Sequence, residues 1–211
     1  MINYTIGKIH ENNWIEAANL AAKAIPNALI AKLGSRFGAK FYSKITEQPY
    51  SCAYAARDES DNILGIIIGT TDYPKARAIA FKEQLLSLII AANFRLLRWS
   101  VISWIIKGII EKAKGKEQNH TNKPHAELMV IVVRPEVKGS GLAQKLVQKM
   151  EKFMLSKSLS QPYAILTEKA NIPGNKFYKK IGATFIKTSL HHGKEINTWH
   201  KVITPMTIDE K

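Results

Sequence analysis

The sequence predicts a mixed α/β fold in which helices cover the faces of a β-sheet. Segments with the period of a strand alternate along the chain with segments that have the period of a helix. Residues 128–133 form an uninterrupted apolar run rich in β-branched side chains, which is typical of a strand buried on both faces. A loop containing Gly139 and Gly141 then leads into an amphipathic helix. We expect one domain over residues 1–211, because a chain of this length buries one core and leaves little room for a second.

The elements before the buried strand are predicted from periodicity and from turn-forming residues. Residues 2–9 are predicted to form the first strand, and residues 13–45 one or two helices that break near Pro26. Two strands follow at 51–56 and 63–70. The run of Asp, Glu, Ser, Asp and Asn between them is typical of a turn, so we expect these two strands to form a hairpin.

Residues 74–122 are predicted to be a helical insertion between the third and fourth strands. Residues 75–116 contain nine Lys and Arg side chains against two Glu, so this stretch supplies 9 − 2 = +7 of the total net charge of +14. Three cations interrupt the apolar stretch 84–110, and its longest uncharged run is too short to span a bilayer. The sequence leaves three interpretations open: an extra pair of core helices, a contact with an anionic membrane surface, or a lid over an apolar acceptor.

The elements after the buried strand follow the same logic. The helix after the glycine loop has an apolar stripe that we expect to face the core: Leu142, Leu146, Met150, Phe153 and Met154. Residues 163–166 are predicted to be a short strand, and residues 172–181 a helix with Gly182 as its C-terminal cap. Residues 184–190 and 195–203 are the last two strands. The predicted order is therefore β, α, α, β, β, insertion, β, α, β, α, β, β.

Composition and charge limit the classes of function. The chain is 45% hydrophobic and 23% charged, as expected of a soluble globular protein. Cys52 is the only cysteine, which excludes an internal disulfide and fits a reducing compartment. The start lacks the pattern of a secretory signal, so we expect a cytoplasmic location, with the inner membrane face as a peripheral site. The charge favours an anionic partner, but no motif supports nucleic acid and no Cys/His spacing indicates a metal.

The loop after the buried strand contains the most informative residues. A strand ends at Val133, a loop with two glycines follows, and a helix begins, so several backbone N–H groups and the positive end of the helix dipole converge on one place. Such a place binds phosphate, and glycine lets the backbone approach the anion closely. The alternative is that Gly139 and Gly141 only form a tight turn. The spacing does not fit a nucleoside triphosphate loop or a dinucleotide fold.

This run resembles the acetyl-CoA loop of the GNAT acetyltransferases, in which Arg or Gln is followed after two residues by Gly and, two further on, by Gly or Ala. Lys138, Gly141 and Ala143 occupy these positions, and Lys138 departs from the pattern while keeping a charged donor. The resemblance implies that acetyl-CoA is the co-substrate and that no metal takes part. It assigns the contacts with acetyl-CoA to the following residues: Ile131, Val132, Val133, Lys138, Gly139, Ser140, Gly141, Leu142, Ala143, Asn171 and Tyr178.

A second segment resembles the other GNAT signature, in which an Asn is followed seven positions later by a Tyr in a short helix that ends in Gly. Asn171, Tyr178 and Gly182 have this spacing. The same residues can also be a helix N-cap, a core aromatic and a helix C-cap, and these interpretations do not exclude one another. The resemblance covers residues 126–190 well. It implies a mixed, mostly antiparallel sheet flanked by helices.

The resemblance also implies catalytic roles. The Val133 N–H is expected to face the thioester oxygen, and Tyr178 to protonate the departing thiolate. Many relatives have a Glu five residues before the Asn, where this chain has Leu166, so Glu127 and Glu168 are the candidate bases, acting directly or through water.

The acceptor is expected to be a primary amine of a small molecule, an amino sugar or a protein N-terminus. The sequence does not predict the oligomeric state. The alternative function is a nonenzymatic protein of the same fold that binds acyl-CoA or a membrane surface.

Overall fold

The computed structural model of the chain describes residues 3–26, 28–80, 124–191 and 193–203. Most of the predicted insertion, and with it the membrane contact through 84–110, lies outside these ranges. Ahead of it, the elements are β1 (Thr5–Lys8), a 3₁₀ helix (Glu11–Asn13), α1 (Trp14–Ala24), α2 (Leu29–Leu33), α3 (Ser35–Thr46), β2 (Ser51–Arg57) and β3 (Ile63–Thr70). Residues 73–80 are also helical. The elements after it are β4 (Glu127–Val133), a 3₁₀ helix (Pro135–Val137), α4 (Leu142–Ser156), β5 (Tyr163–Glu168), α5 (Ile172–Lys180), β6 (Thr184–His191) and β7 (Lys194–Lys201).

In the described ranges the strands form one seven-stranded sheet in the order β1-β2-β3-β4-β5-β7-β6. All neighbouring strands are antiparallel except β4 and β5, which are parallel. The prediction of a mixed, mostly antiparallel sheet is therefore confirmed. No helix in these ranges has the length and hydropathy needed to cross a membrane.

Helices pack on both faces of the sheet because its strands alternate between two apolar layers. On β2, Cys52 and Tyr54 face the layer formed with α4 and α5, whereas Ala53 and Ala55 face the layer formed with α1 and α3. Every residue of β2 and β3 is buried. These two strands, of which β3 pairs with β4, thus lie at the centre of the core.

The apolar stripe of α4 lies where the sequence predicts it. Leu142, Leu146, Met150 and Met154 are fully buried, and Phe153 is partly buried against the same layer. The fit is close, because a Cβ added at Gly69 would collide with the Met150 side chain. This packing fixes the middle of α4 against β3.

The buried strand differs from its prediction in one respect. Leu128 and Val130 are buried as expected, but Met129 and the last three residues of β4 are only partly buried. The reason is that the second half of β4 has a partner strand on one side only.

Candidate active site

The sheet is open between β4 and β5. The two strands form only two pairs, Glu127 with Ala164 and Leu128 with Ile165, although they continue to Val133 and Glu168. The pairing stops at a β-bulge. On β3, Gly69 pairs with Leu128 and the preceding residue pairs with Val130, so Met129 has no partner. Because a bulge bends and twists its strand, β4 leaves β5 at Met129 and a cleft forms between them.

The register of β3 and β4 decides which backbone groups face this cleft. The Arg134 N–H donates to the Leu64 carbonyl at 2.8 Å, so these residues form a hydrogen-bonded pair. Hydrogen-bonded and non-hydrogen-bonded pairs alternate along an antiparallel ladder. Val132, two residues before Arg134, is therefore in the next hydrogen-bonded pair, and its N–H and C=O groups bond to β3. Ile131 and Val133 direct their N–H and C=O groups away from β3, into the cleft. The N–H and C=O groups of Val132 are thus bonded within the sheet, whereas those of Ile131 and Val133 are available in the cleft.

The glycine loop adopts a conformation that only glycine takes without strain. Gly139 has φ +82° and Gly141 has φ +83°. A Cβ at either position would meet no atom within 4 Å, so the backbone angle and not crowding selects glycine. Ser140 tightens the loop, because its hydroxyl donates to the Val137 carbonyl at 2.7 Å. The space over the two glycines is open.

Unpaired donors surround this open space. The first intrahelical bond of α4 runs from the Lys145 N–H to the Gly141 carbonyl at 3.1 Å, and the Leu142 N–H faces the Ser140 hydroxyl at 3.4 Å. Lys138 is exposed, and in the described ranges it has no ion-pair partner. Among the same residues, four backbone N–H groups find no acceptor: Gly139, Gly141, Ala143 and Gln144. This arrangement of free N–H groups, helix dipole and a cation suits phosphate groups.

Tyr178 lies on α5 in the same apolar layer that Ile131 and Val133 contact. It is 7% exposed, and its ring packs edge to face against Phe177 with centroids 5.7 Å apart. Burial raises the pKa of Tyr178 to about 12, which keeps the phenol protonated at neutral pH. Within the described ranges its hydroxyl makes no hydrogen bond, and burial is the only cause of its raised pKa. The structure therefore brings a neutral donor to the layer that borders the cleft.

Asn171 caps α5, as one interpretation of the second signature predicts. Its Oδ1 accepts from the Gly174 N–H at 3.1 Å and its Nδ2 donates to the Thr167 hydroxyl at 3.3 Å. Gly182 ends the helix at φ +84° and donates to the Lys179 carbonyl at 3.1 Å. The contact of Asn171 with a cofactor stays a prediction.

The two candidate carboxylates lie at opposite ends of the cleft. Glu127 is 8% exposed and begins β4, at the end where β4 and β5 are still paired. Its charge acts on Tyr73, whose pKa is raised mainly by burial and also by Glu127. Glu168 ends β5 at the open end, and its Oε1 accepts from the Lys194 ammonium at 2.9 Å. Leu166 is partly buried between them.

Two features of the site are missed by the sequence prediction. Met129 gives no signal because it lies inside an uninterrupted apolar run. Asn175 gives a weak signal, since Asn is a poor helix former in a helix interior, and the structure shows that its side chain has five hydrogen-bond partners. Both features become visible only when distant strands are placed side by side.

The chain is similar to known proteins in sequence and in structure. A sequence model described as the acetyltransferase (GNAT) family matches residues 22–183. No curated protein matches at a significant level. Among solved structures, the chain is similar to SsHAT, with TM-score 0.66, 12% identity, and coverage of 96% of this chain and 100% of that chain.

Two further similar structures are acetyltransferases. Arabidopsis thaliana NAA60 in complex with acetyl-CoA gives TM-score 0.59 at 11% identity, covering 95% of this chain and 99% of that chain. A spermidine N-acetyltransferase SpeG chimera from Vibrio cholerae and hSSAT gives TM-score 0.53 at 11% identity, covering 94% and 95%. At these identities the likeness shows a shared fold.

Proposed function

This chain belongs to the GNAT acetyltransferase family, and from that premise we propose that it moves an acetyl group from acetyl-CoA to a primary amine. The observation that carries the proposal is the cleft between β4 and β5, with free backbone donors along one wall and a phosphate-compatible loop at its open end. A cofactor with a diphosphate and a long amide-containing arm matches both parts. The spermidine acetyltransferase of the same fold supports an amine as acceptor.

The loop binds the diphosphate through its free N–H groups and through Lys138. The amide groups of the arm then pair with the cleft-facing groups of Val133 and Ile131, much as an added strand would. Because the arm enters from the loop, it meets Val133 first and Ile131 two residues deeper. The reacting carbonyl therefore lies nearer the Ile131 N–H, and that donor, more than the Val133 N–H expected from the sequence, stabilises its developing negative charge.

Tyr178 supplies the proton for the departing thiolate. A phenol with a pKa of about 12 stays protonated at neutral pH and is ready to donate. A thiol in water has a pKa of about 8.5, so the transfer would be uphill by about 3.5 pKa units if the thiolate were hydrated. The burial that raises the pKa of Tyr178 also raises that of a thiol held beside it, which narrows this difference.

Glu127 is the better-placed base of the two candidates. The acetyl end of the arm reaches toward the paired end of the cleft, where Glu127 begins β4. Glu168 is level with Ile131 in the strand register, but its carboxylate is engaged by the Lys194 ammonium at 2.9 Å. Four residues separate Glu127 from Ile131, about 13 Å of strand. At this separation a proton from the amine reaches Glu127 only along a chain of several water molecules.

Binding and turnover are tested separately. At a hundredfold excess over its dissociation constant, acetyl-CoA should stabilise the protein by about 2.7 kcal/mol, which is a melting shift of several degrees. Thiol release from acetyl-CoA is then followed with spermidine, glucosamine and a peptide with a free N-terminus. No melting shift would contradict the proposal. A shift without thiol release for any amine would instead support the alternative, a nonenzymatic acyl-CoA-binding protein.

We also propose that the protein is located in the cytoplasm. The cytoplasm supplies acetyl-CoA and fits a buried, unpaired Cys52. Peripheral contact with the inner membrane face through 84–110 remains a prediction. Flotation with anionic vesicles tests it, and failure to float would remove it.

A further inference from the structure

The side chain of Asn175, in the first half of α5, connects three parts of the protein. The two hydrogens of its Nδ2 are shared among three backbone carbonyls around the turn between β5 and α5: Glu168 at 3.1 Å, Lys169 at 3.3 Å and Asn171 at 2.8 Å. Its Oδ1 accepts from two side chains of β7: Asn197 Nδ2 at 2.9 Å and Trp199 Nε1 at 3.0 Å. One short side chain therefore ties α5 to the end of β5 and to β7.

The chemistry of the partners fixes the orientation of this amide. The Trp199 indole N–H can only donate, so it must face the oxygen of Asn175, while backbone carbonyls can only accept and must face the nitrogen. Aspartate has the same shape but would place a carboxylate against three carbonyl oxygens. Leucine would leave the buried Asn197 amide and Trp199 indole N–H groups without this acceptor, at a cost for each. The Glu168 and Asn171 carbonyls would keep their backbone donors, the Asn171 N–H at 2.9 Å and the Asn175 N–H at 3.0 Å. An amide of this length is the side chain that satisfies both sides.

Asn175 also shares a face of α5 with Tyr178. The two residues are three positions apart, so their side chains lie on the same side of the helix. Tyr178 and Trp199 belong to one apolar layer. At the other end of α5, the Tyr178 carbonyl accepts from the Ala183 N–H at 3.0 Å in the C-terminal cap. Tyr178 is thus held between the Asn175 contacts and the helix cap.

Resting on the proposed function, we propose that Asn175 is a positioning residue: it fixes α5 against the end of β5 and against β7, and so holds the Tyr178 phenol at the cleft. The carbonyl of Glu168, which Asn175 holds, ends the strand that forms one wall of this cleft. A displacement of about 1 Å in a reacting group can lower the rate about a hundredfold. Loss of Asn175 should therefore act on turnover more than on cofactor binding.

A double-mutant cycle measured by enzyme kinetics distinguishes this role from a general loss of stability. Asn175→Ala, Tyr178→Phe and the double variant are compared in thiol release from acetyl-CoA with spermidine, and without amine, where water is the acceptor. Asn175→Ala should lower kcat at least tenfold while the dissociation constant for acetyl-CoA changes less than about twofold. In the Tyr178→Phe background the same substitution should lower kcat by less than about twofold, because the group it positions is already gone.

Two further variants serve as a control and as a substitute for Asn175→Ala. Thr46→Val removes the hydrogen bonds from the Thr46 hydroxyl to the Tyr42 and Ser43 carbonyls, both at 3.0 Å in α3, and should leave kcat within about twofold. If Asn175→Ala does not fold, Trp199→Phe removes one of the five partners and should give a smaller loss of kcat in the same direction. Equal losses from Asn175→Ala in the parent and in the Tyr178→Phe background would overturn the proposal.

A measurement without ligand separates this inference from the proposed function. With ring-labelled tyrosine, the NMR signal that Tyr178→Phe removes identifies Tyr178, and Asn175→Ala should shift this signal while Thr46→Val leaves it in place. An unchanged Tyr178 signal overturns the positioning role even if the enzyme is active. A shifted signal together with no acetyl-CoA binding would reject the proposed function and keep the structural coupling.

Discussion

The Lys201 ammonium lies 2.6 Å from Glu151 Oε1, in an ion pair whose side chains are only 13% and 14% exposed. The Tyr163 hydroxyl donates to the same oxygen at 2.8 Å. Burial, and then the Glu151 charge, raise the pKa of Tyr163 above its ordinary value. One carboxylate thus connects α4, β5 and β7 behind the candidate site.

Replacing Glu151 with Gln should therefore be costly. The substitution keeps the shape but leaves the Lys201 charge nearly buried without a counter-ion, and we expect a loss of about 3 kcal/mol in the free energy of unfolding. Urea denaturation at pH 7 measures it. Glu195→Gln is the matched control, since its pair with Lys169 is 58% and 54% exposed and should contribute less than about 0.5 kcal/mol. Equal losses for the two variants would contradict this account.

Gly141→Val should separate folding from cofactor binding. At φ +83° a valine is strained by about 1–2 kcal/mol, so the protein should stay folded with a lower melting temperature. Its side chain would occupy the open space in front of the free N–H groups, so the melting shift caused by acetyl-CoA should disappear. Gly7→Ala, in β1 at the far edge of the sheet, should leave that shift unchanged. A full shift in Gly141→Val would show that the loop does not hold the cofactor.

Stability should fall at alkaline pH partly because of Cys52. Burial raises the pKa of this thiol from 9.0 to about 12, so the folded state keeps a proton that the unfolded state releases above pH 9. The stabilisation that comes from keeping the Cys52 thiol protonated is complete below pH 9 and is lost as pH rises toward 12. Between pH 7 and pH 10 the thiol accounts for a loss of about 1.4 kcal/mol. Between pH 7 and pH 10 the free energy of unfolding of Cys52→Ala, measured by urea denaturation, should fall by about 1.4 kcal/mol less than that of the parent. An identical pH dependence of the two proteins would contradict the assignment.

The features that the sequence predicts are those set by neighbours along the chain. The hairpin between β2 and β3 is an example, because Asp58 accepts hydrogen bonds from the Ser60 and Asn62 backbone N–H groups within its own turn. The glycine loop is another, since its positive φ angles are a property of Gly139 and Gly141 themselves. Such local rules need no knowledge of the rest of the fold.

The features that the sequence does not predict depend on contacts between distant segments. The bulge at Met129 exists because of the register against β3, and nothing in an all-apolar strand marks the residue that is skipped. Lys201 and Glu151 are 50 positions apart, and Asn175 and Trp199 are 24 apart. Pairing across such separations is decided by the packed sheet, so the closed and open ends of the cleft could not be assigned from the pattern alone.

Tyr178→Phe tests the proton donor at the site. The substitution keeps the ring and its packing against Phe177, so the acetyl-CoA dissociation constant should change less than about twofold. It removes the proton for the thiolate, and kcat should fall about a hundredfold. Because burial raises the pKa of Tyr178 to about 12, deprotonation of this phenol should not lower the parent kcat below pH 10, and a decline would begin only as pH approaches 12. An alkaline fall centred near pH 10 that Tyr178→Phe abolishes would mean that the phenol is hydrated in the working enzyme, and an unchanged kcat would mean that another group donates the proton.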